Sequence, residues 1–283
     1  MIRVIVDSTC DMPAATIAQY GVEVLPLHVI AEGREYLDRV TITTREVYDM
    51  MRRGVTPKTA QVDLAETHRR LAELAAQGDD LLYLAFSSKM SGTCGLVAQI
   101  MESLKEQFPR RAMCTLDAKG GSFATGLIAM EAARAAAGGM AFDALVERCR
   151  FLIDHVEHVF VINDLTWMIR GGRISRTLGY TASLLDIKPV LDVSDGEMEV
   201  IQKVRGRRRS MERVADVVAQ RAQGCPRQTI GVTHADDPQA AEDMRALLAK
   251  RLPECTFLTE EIGAVLGVHL GIGGVGVFFF NQM

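Results

Sequence analysis

The stretch Leu81-Leu-Tyr-Leu-Ala-Phe-Ser-Ser-Lys-Met-Ser-Gly-Thr93 restricts the choice of fold more than any other part of the chain. Its first six residues are apolar and mostly large, the pattern of a buried strand bounded by a turn. Ser87, Ser88, Ser91 and Thr93 then crowd four hydroxyls around Lys89, with Gly92 freeing the backbone. Beyond Thr93, apolar residues at Leu96, Val97, Ile100, Met101 and Leu104 recur at helical spacing up to Phe108-Pro109. Strand, polar turn and helix together make a corner of an open α/β sheet, and ligands sit at the carboxyl ends of such strands. Hydroxyls and main-chain N–H groups at a helix start suit a phosphate or a carboxylate. A helix cap needs only one hydroxyl. Four within seven residues make this turn a candidate ligand site.

The same corner recurs before and after it. Residues 2–6 form an apolar strand leading into Asp7-Ser-Thr-Cys-Asp-Met-Pro13, where Asp11 serves as N-cap and Pro13 tolerates the first turn of a helix that stops at Gly21. Asp7 and Ser8 are read first as ties within that loop, with Ser8 as a supporting ligand candidate. Residues 22–30 read as one strand. Thr43-Thr-Arg-Glu46 is a capping box opening a helix that ends at Gly54. Asp63-Leu-Ala-Glu66 opens another, with Leu64, Leu71 and Leu74 on one face. The intervening loop carries Thr59 and Gln61, which have no evident structural task. Residues 112–116 form a strand that runs into Asp117-Ala-Lys-Gly-Gly-Ser122 and an Ala-rich helix. Strands alternating with helices imply a largely parallel sheet. His155 and His158 straddle a helix-to-strand junction and read as surface histidines rather than metal ligands.

The second half has a different texture. Leu165-Thr-Trp-Met-Ile-Arg-Gly-Gly-Arg-Ile-Ser175 ends a helical turn at Gly171-Gly172, and Arg173 follows directly. An Arg held by a Gly pair can project its guanidinium fork into a cleft, a geometry that suits carboxylate or phosphate. Residues 187–193 and 198–204 flank Asp195-Gly196 as a hairpin. Arg205-Gly-Arg-Arg-Arg209 is a dense basic run, either a solvated face or a docking patch for an acidic partner. The final segment, Gly267-Val-His-Leu-Gly-Ile-Gly-Gly-Val-Gly-Val-Phe-Phe-Phe280, sets His269 in a Gly-rich turn before a strongly apolar strand. Four glycines around a histidine are a poor way to build a core and point to a site.

Composition excludes several classes. The chain of 283 residues is 48% hydrophobic and 24% charged, with a net charge of −4, so it folds and does not favour nucleic acid. No apolar run approaches the ~20 residues of a membrane helix. The start of the chain has no signal-peptide pattern. Six scattered cysteines without a Cys-x-x-Cys pair suggest neither zinc nor a disulfide framework, which fits a reducing cytoplasm. There is no Walker-type loop and no protein-kinase motif set, hence no recognised nucleotide site. No cofactor is expected.

Taken together, Asp7-Ser-Thr-Cys-Asp-Met-Pro13, Thr59-Ala-Gln61, Ser87-Ser-Lys-Met-Ser-Gly-Thr93, Gly171-Gly-Arg-Ile-Ser175, Lys188-Pro189 and Gly267-Val-His-Leu-Gly-Ile-Gly273 resemble the DegV proteins. That family includes the fatty-acid-binding (FakB type) subunits of bacterial fatty acid kinase. The resemblance spans essentially the whole chain. It implies two α/β domains, here 1–157 with a mainly parallel sheet and 158–283 with a mixed sheet, and a long acyl chain between them. It further implies that Thr59, Ser91, Arg173 and His269 hold the carboxylate, with Ser8, Gln61, Ser88, Gly92, Thr93 and Gly172 in support. A separate ATP-dependent kinase is then the partner, acyl phosphate the product, membrane contact at most transient, and the chain itself no enzyme. Two other readings compete. In one, the Ser-Gly-Thr turn cradles the phosphate of a phosphosugar-binding or isomerase domain. In the other, Ser91 is a hydrolase nucleophile, although the Gly-x-Ser-x-Gly elbow is missing.

Overall fold

The computed structural model describes residues 1–163, 165–174 and 186–283; Ser175 of the Gly-Gly-Arg motif lies outside them. The first half runs β1 (Ile2–Asp7), α1 (Ala14–Tyr20), β2 (Glu23–Leu25), β3 (His28–Ala31), β4 (Arg34–Leu37), α2 (Thr44–Arg52), β5 (Lys58–Ala60), α3 (Leu64–Ala76), β6 (Asp80–Ala85), α4 (Thr93–Gln107), β7 (Met113–Asp117), α5 (Ser122–Ala137) and α6 (Phe142–His155). The second runs β8 (Val156–Val161), α7 (Thr166–Gly171), β9 (Ile187–Ser194), β10 (Glu197–Arg205), α8 (Arg207–Arg221), β11 (Thr229–His234), α9 (Pro238–Arg251), β12 (Thr256–Glu261), α10 (Ala264–Leu270) and β13 (Val275–Phe280). The boundary expected at 157/158 falls inside β8, which belongs wholly to the second sheet.

The two-domain α/β architecture follows from the strand chemistry. In the first sheet, ordered β2-β1-β6-β7, all neighbours are parallel, and the apolar runs of β1 and β6 are buried on both faces. The second sheet is mixed, ordered β10-β9-β8-β13-β11-β12, with only β11 and β12 parallel. A small antiparallel sheet, β4-β3-β5, completes the first half. Helix α5 is apolar nearly all round because it packs on β1 and on β11 and β13 at once, which makes it the core shared by both halves. Hydrogen bonds also cross between the halves, among them three away from the cavity's polar cluster. Tyr48 donates to the Ile262 carbonyl at 2.8 Å, Gly263 N–H to Asp11 Oδ1 at 2.9 Å, and the Ser87 hydroxyl to the Gly196 carbonyl at 2.7 Å.

Several local expectations change. The single strand at 22–30 is two strands in two sheets, because Pro26 lacks the N–H a continuous ladder would need. Asp11 does not cap α1; it is buried and binds Ser122 Oγ, Arg39 and Gly263 N–H instead. Leu64 does not share the buried face of α3 and is 57% exposed. Thr59 sits on β5 rather than in a loop, paired with Val29 of β3. His269 lies in the last turn of α10, not in a turn. His158 is not a surface residue: it is buried in β8, while His155 is half-buried. Among the described residues, no helix is long and apolar enough to cross a membrane, and no cluster of His, Cys, Asp and Glu could hold a metal ion.

Candidate functional site

Between the halves lies a cavity of about 860 Å³. Most of its wall is apolar, including Phe86, Phe160, Ile162, Val265 and Phe278. Into it project Thr59, Ser91, Arg173 and His269, brought there by β5, the turn before α4, the end of α7, and α10. A predominantly apolar hollow with a few convergent polar groups is the form small-molecule sites take.

Direct contacts tie the four together. Thr59 Oγ1 and His269 Nε2 are hydrogen-bonded at 2.8 Å. The Arg173 guanidinium crosses the cleft, with Nε donating to the Met90 carbonyl at 3.3 Å and Nη1 to the Gly171 carbonyl at 2.6 Å. Met90 precedes Ser91, whose Oγ donates to Thr93 Oγ1 at 3.1 Å and accepts from Thr93 N–H at 3.2 Å. Arg173 is aimed this way by the end of α7. Gly172 adopts left-handed φ 70°, its N–H reaching the Ile169 carbonyl and the Arg173 N–H the Met168 carbonyl, as in a Schellman motif. Gly171 must also be small, since a Cβ there would overlap the His269 ring.

Burial, and secondarily the Arg173 charge, pushes the His269 imidazole down to about 4, so the ring is neutral near pH 7. Its Nδ1 is buried and has no hydrogen-bond partner among the described residues. Arg173 has no carboxylate partner among the described residues. The cluster of four is thus a cation and hydroxyls with a neutral ring beside them, and among the described residues no carboxylate is bonded to that cation. That set accepts a carboxylate or a phosphate.

The supporting candidates separate. Gln61 and Gly92 line the cavity, with the Gln61 amide packed on Gly92. Thr93 is buried and holds Ser91. Ser88 lines the cavity, but its hydroxyl and N–H both go to Asp117 Oδ2. Ser8 is remote in role, fully buried with its Oγ accepting from Leu27 N–H at 3.1 Å. Gly172 acts through the backbone. Sequence reasoning missed Thr9, His158, Phe160 and Met198 of the cavity wall. The alternation of His158 and Phe160 on β8 with Ile162 just after it was the available signal.

The family model described as an uncharacterised protein of the DegV family matches residues 1–282. The chain belongs to the DegV family. A DegV domain-containing protein of Clostridium perfringens is 32% identical to it over 99% of both chains. Among solved structures, a DegV family protein from Thermus thermophilus, described for its fatty acid binding, has a TM-score of 0.89 at 29% identity over 99% of both chains. A fatty-acid-binding DegV family protein from Streptococcus agalactiae has a TM-score of 0.85 at 29% identity, covering 100% of this chain and 99% of its own. The two-domain arrangement is therefore the DegV fold.

Proposed function

We propose that this DegV protein holds one long-chain fatty acid in the cavity between its halves and presents the carboxylate to a separate ATP-dependent kinase, which makes the acyl phosphate. The observation that carries the reading is a mostly apolar cavity of about 860 Å³ containing Arg173, a cation without a carboxylate partner among the described residues. The fatty acid binding of the Thermus relative supports it. A carboxylate that leaves water must be paired and hydrogen-bonded. Arg173 supplies the charge, the Thr59 hydroxyl supplies a donor, and the Ser91 hydroxyl supplies another once its hydrogen turns from Thr93 Oγ1 to the ligand. With Nε2–H of neutral His269 donating to Thr59 Oγ1, the Thr59 hydroxyl hydrogen is left for the ligand. The tail contributes ~0.8 kcal/mol per buried methylene, on the order of 10 kcal/mol gross for a long chain. Association offsets a large share of that.

The competing readings fare worse. Ser91 is hydrogen-bonded to Thr93 and His269 to Thr59, so among the described residues no base is hydrogen-bonded to Ser91. Phenyl walls do not suit a phosphosugar. For the kinase, the exposed Arg205, Arg208 and Arg209 are the proposed docking residues; Arg207 is turned inward, 3.6 Å from Asp237. The test has two arms. Organic-solvent extraction of purified protein should yield a long-chain fatty acid by mass spectrometry. Loaded protein with ATP and magnesium should form acyl phosphate only when the cognate kinase is added. Turnover by this chain alone contradicts the carrier role.

A further inference from the structure

Along β8 and the residue just after it, the side chains of Ile162, Phe160 and His158 line the cavity in succession, two residues and so about 6.6 Å apart. Ile162 belongs to the cluster around Met168 and Ile174, beside Arg173. The next residue on that face, Val156, does not line the cavity and packs in the core with Phe280. The neighbouring β13 behaves alike: Val275, Gly276 and Phe278 line the cavity, whereas Phe280 is core. His158 and Phe278 are partners in register, with their rings edge-on at 5.8 Å. Both strands therefore close the cavity at one level, about 13 Å along β8 from the Arg173 end.

Behind the imidazole lies a second pocket of about 390 Å³ with a different character, lined by Lys119, Asp154, Glu157, Asp192 and Arg221 among others. Among the described residues, His158 and Val193 are the only ones on both linings. The ring is 4% exposed and wedged against Gly120, where a Cβ would overlap Nε2. That Nε2 has no hydrogen-bond partner among the described residues. Burial pushes the imidazole down to about 4, so it stays neutral near pH 7.

We propose that His158 is the length stop of the cavity. Its imidazole, held against Gly120, walls the methyl end of the acyl chain off from the polar pocket and sets the longest chain that binds fully buried. The inference rests on the fatty acid reading above and adds a residue that determines specificity within it. Removing the ring joins the two hollows. Adding a methyl at Gly120, which has no positive φ to strain, drives the ring into the cavity instead.

The test measures dissociation constants for saturated fatty acids from myristate to behenate, using delipidated wild type, His158→Ala and Gly120→Ala. Wild-type affinity should rise by roughly fourfold per methylene up to a limit and then fall. His158→Ala should move that limit to longer chains by at least one two-carbon step, and Gly120→Ala should move it to shorter ones. A limit that both variants leave in place, or shift in the same direction, overturns the proposal while leaving fatty acid binding standing. Wild type that binds none of the series overturns both. Should His158→Ala not fold, Gly120→Ala still decides, because an unmoved limit in that variant is sufficient refutation.

Discussion

The corners after β1 and after β6 stand side by side at the carboxyl edge of the parallel sheet, and both are rich in hydroxyls. They use them differently. At the first, Asp7 is buried and accepts from Thr9 N–H at 3.0 Å, from the Thr9 hydroxyl, from Tyr83 OH at 2.7 Å and from Phe86 N–H at 3.1 Å. Ser8 is likewise committed to Leu27. At the second, Ser87 and Ser88 are tied down in the same way, to Gly196 and Asp117. Ser91 and Gly92, by contrast, reach the cavity beside Gln61 and Arg173. Two turns of similar composition thus divide into a structural knot and a cavity-facing edge, and what separates them is where each polar atom finds its partner.

The largest expected effect breaks the knot. Asp7→Ala strands several buried donors and should cost about 4 kcal/mol of stability, read from chemical unfolding. The fatty acid affinity of the protein that remains folded should be unchanged. A loss under about 1 kcal/mol would mean the first corner is no knot.

Next comes pH. His269 titrates at about 4 in the fold against 6.5 unperturbed, so an unfolded chain takes up that proton first. The stability it contributes is present above pH 6.5 and is lost as pH falls toward 4. The loss is about 3 kcal/mol at most. A bound carboxylate beside the ring favours its charged form, so lipid-loaded protein should lose less over this window than delipidated protein. Parallel melting curves for the two forms that fall equally with pH would separate His269 from the ligand.

A smaller effect sharpens the ligand-facing side. Arg173→Ala should weaken fatty acid binding by roughly 1.5–3 kcal/mol, about ten- to a hundredfold, with little change in stability. Arg170→Ala should leave affinity unmoved, because that guanidinium lies over the Trp167 ring at 5.7 Å from its centroid. Equal losses by titration calorimetry would point to the wrong arginine. The smallest effect belongs to Thr59→Val, which deletes the hydroxyl paired with His269 and should cost about 1 kcal/mol of affinity.

The architecture was legible because its signals are local. Apolar runs ending in polar turns marked β1, β6 and β7, and Thr43 and Glu46 form the capping box their spacing implied, with Glu46 N–H donating to Thr43 Oγ1 at 3.3 Å and Thr43 N–H to Glu46 Oε2 at 2.8 Å. What failed depended on distant partners. A three-residue strand such as β5 shows no alternation by itself; it exists because β3 lies alongside. Helix α10 looked like a turn because of its glycines, yet Gly267 is there to let the Tyr48 ring close against it. His158 could be placed on a face of β8, but nothing local says whether that face meets water or the other half of the molecule. Of the four polar residues lining one cavity, Ser91, Arg173 and His269 stood out by their hydroxyl-rich and Gly-rich surroundings. The set of four with Thr59 came only with the family motifs, and the apolar wall, made of ordinary core residues, carried no motif.

The central claim is that one cavity separates the tasks of holding a chain and reading its charged end. Titrating delipidated protein with palmitate and with hexadecanol tests it most directly, since the two share a tail and differ in the head group. The account predicts saturable one-to-one binding of palmitate, weaker binding of the alcohol, and a difference that shrinks in Arg173→Ala. Folded protein that takes up no palmitate, or that binds both equally, would contradict it.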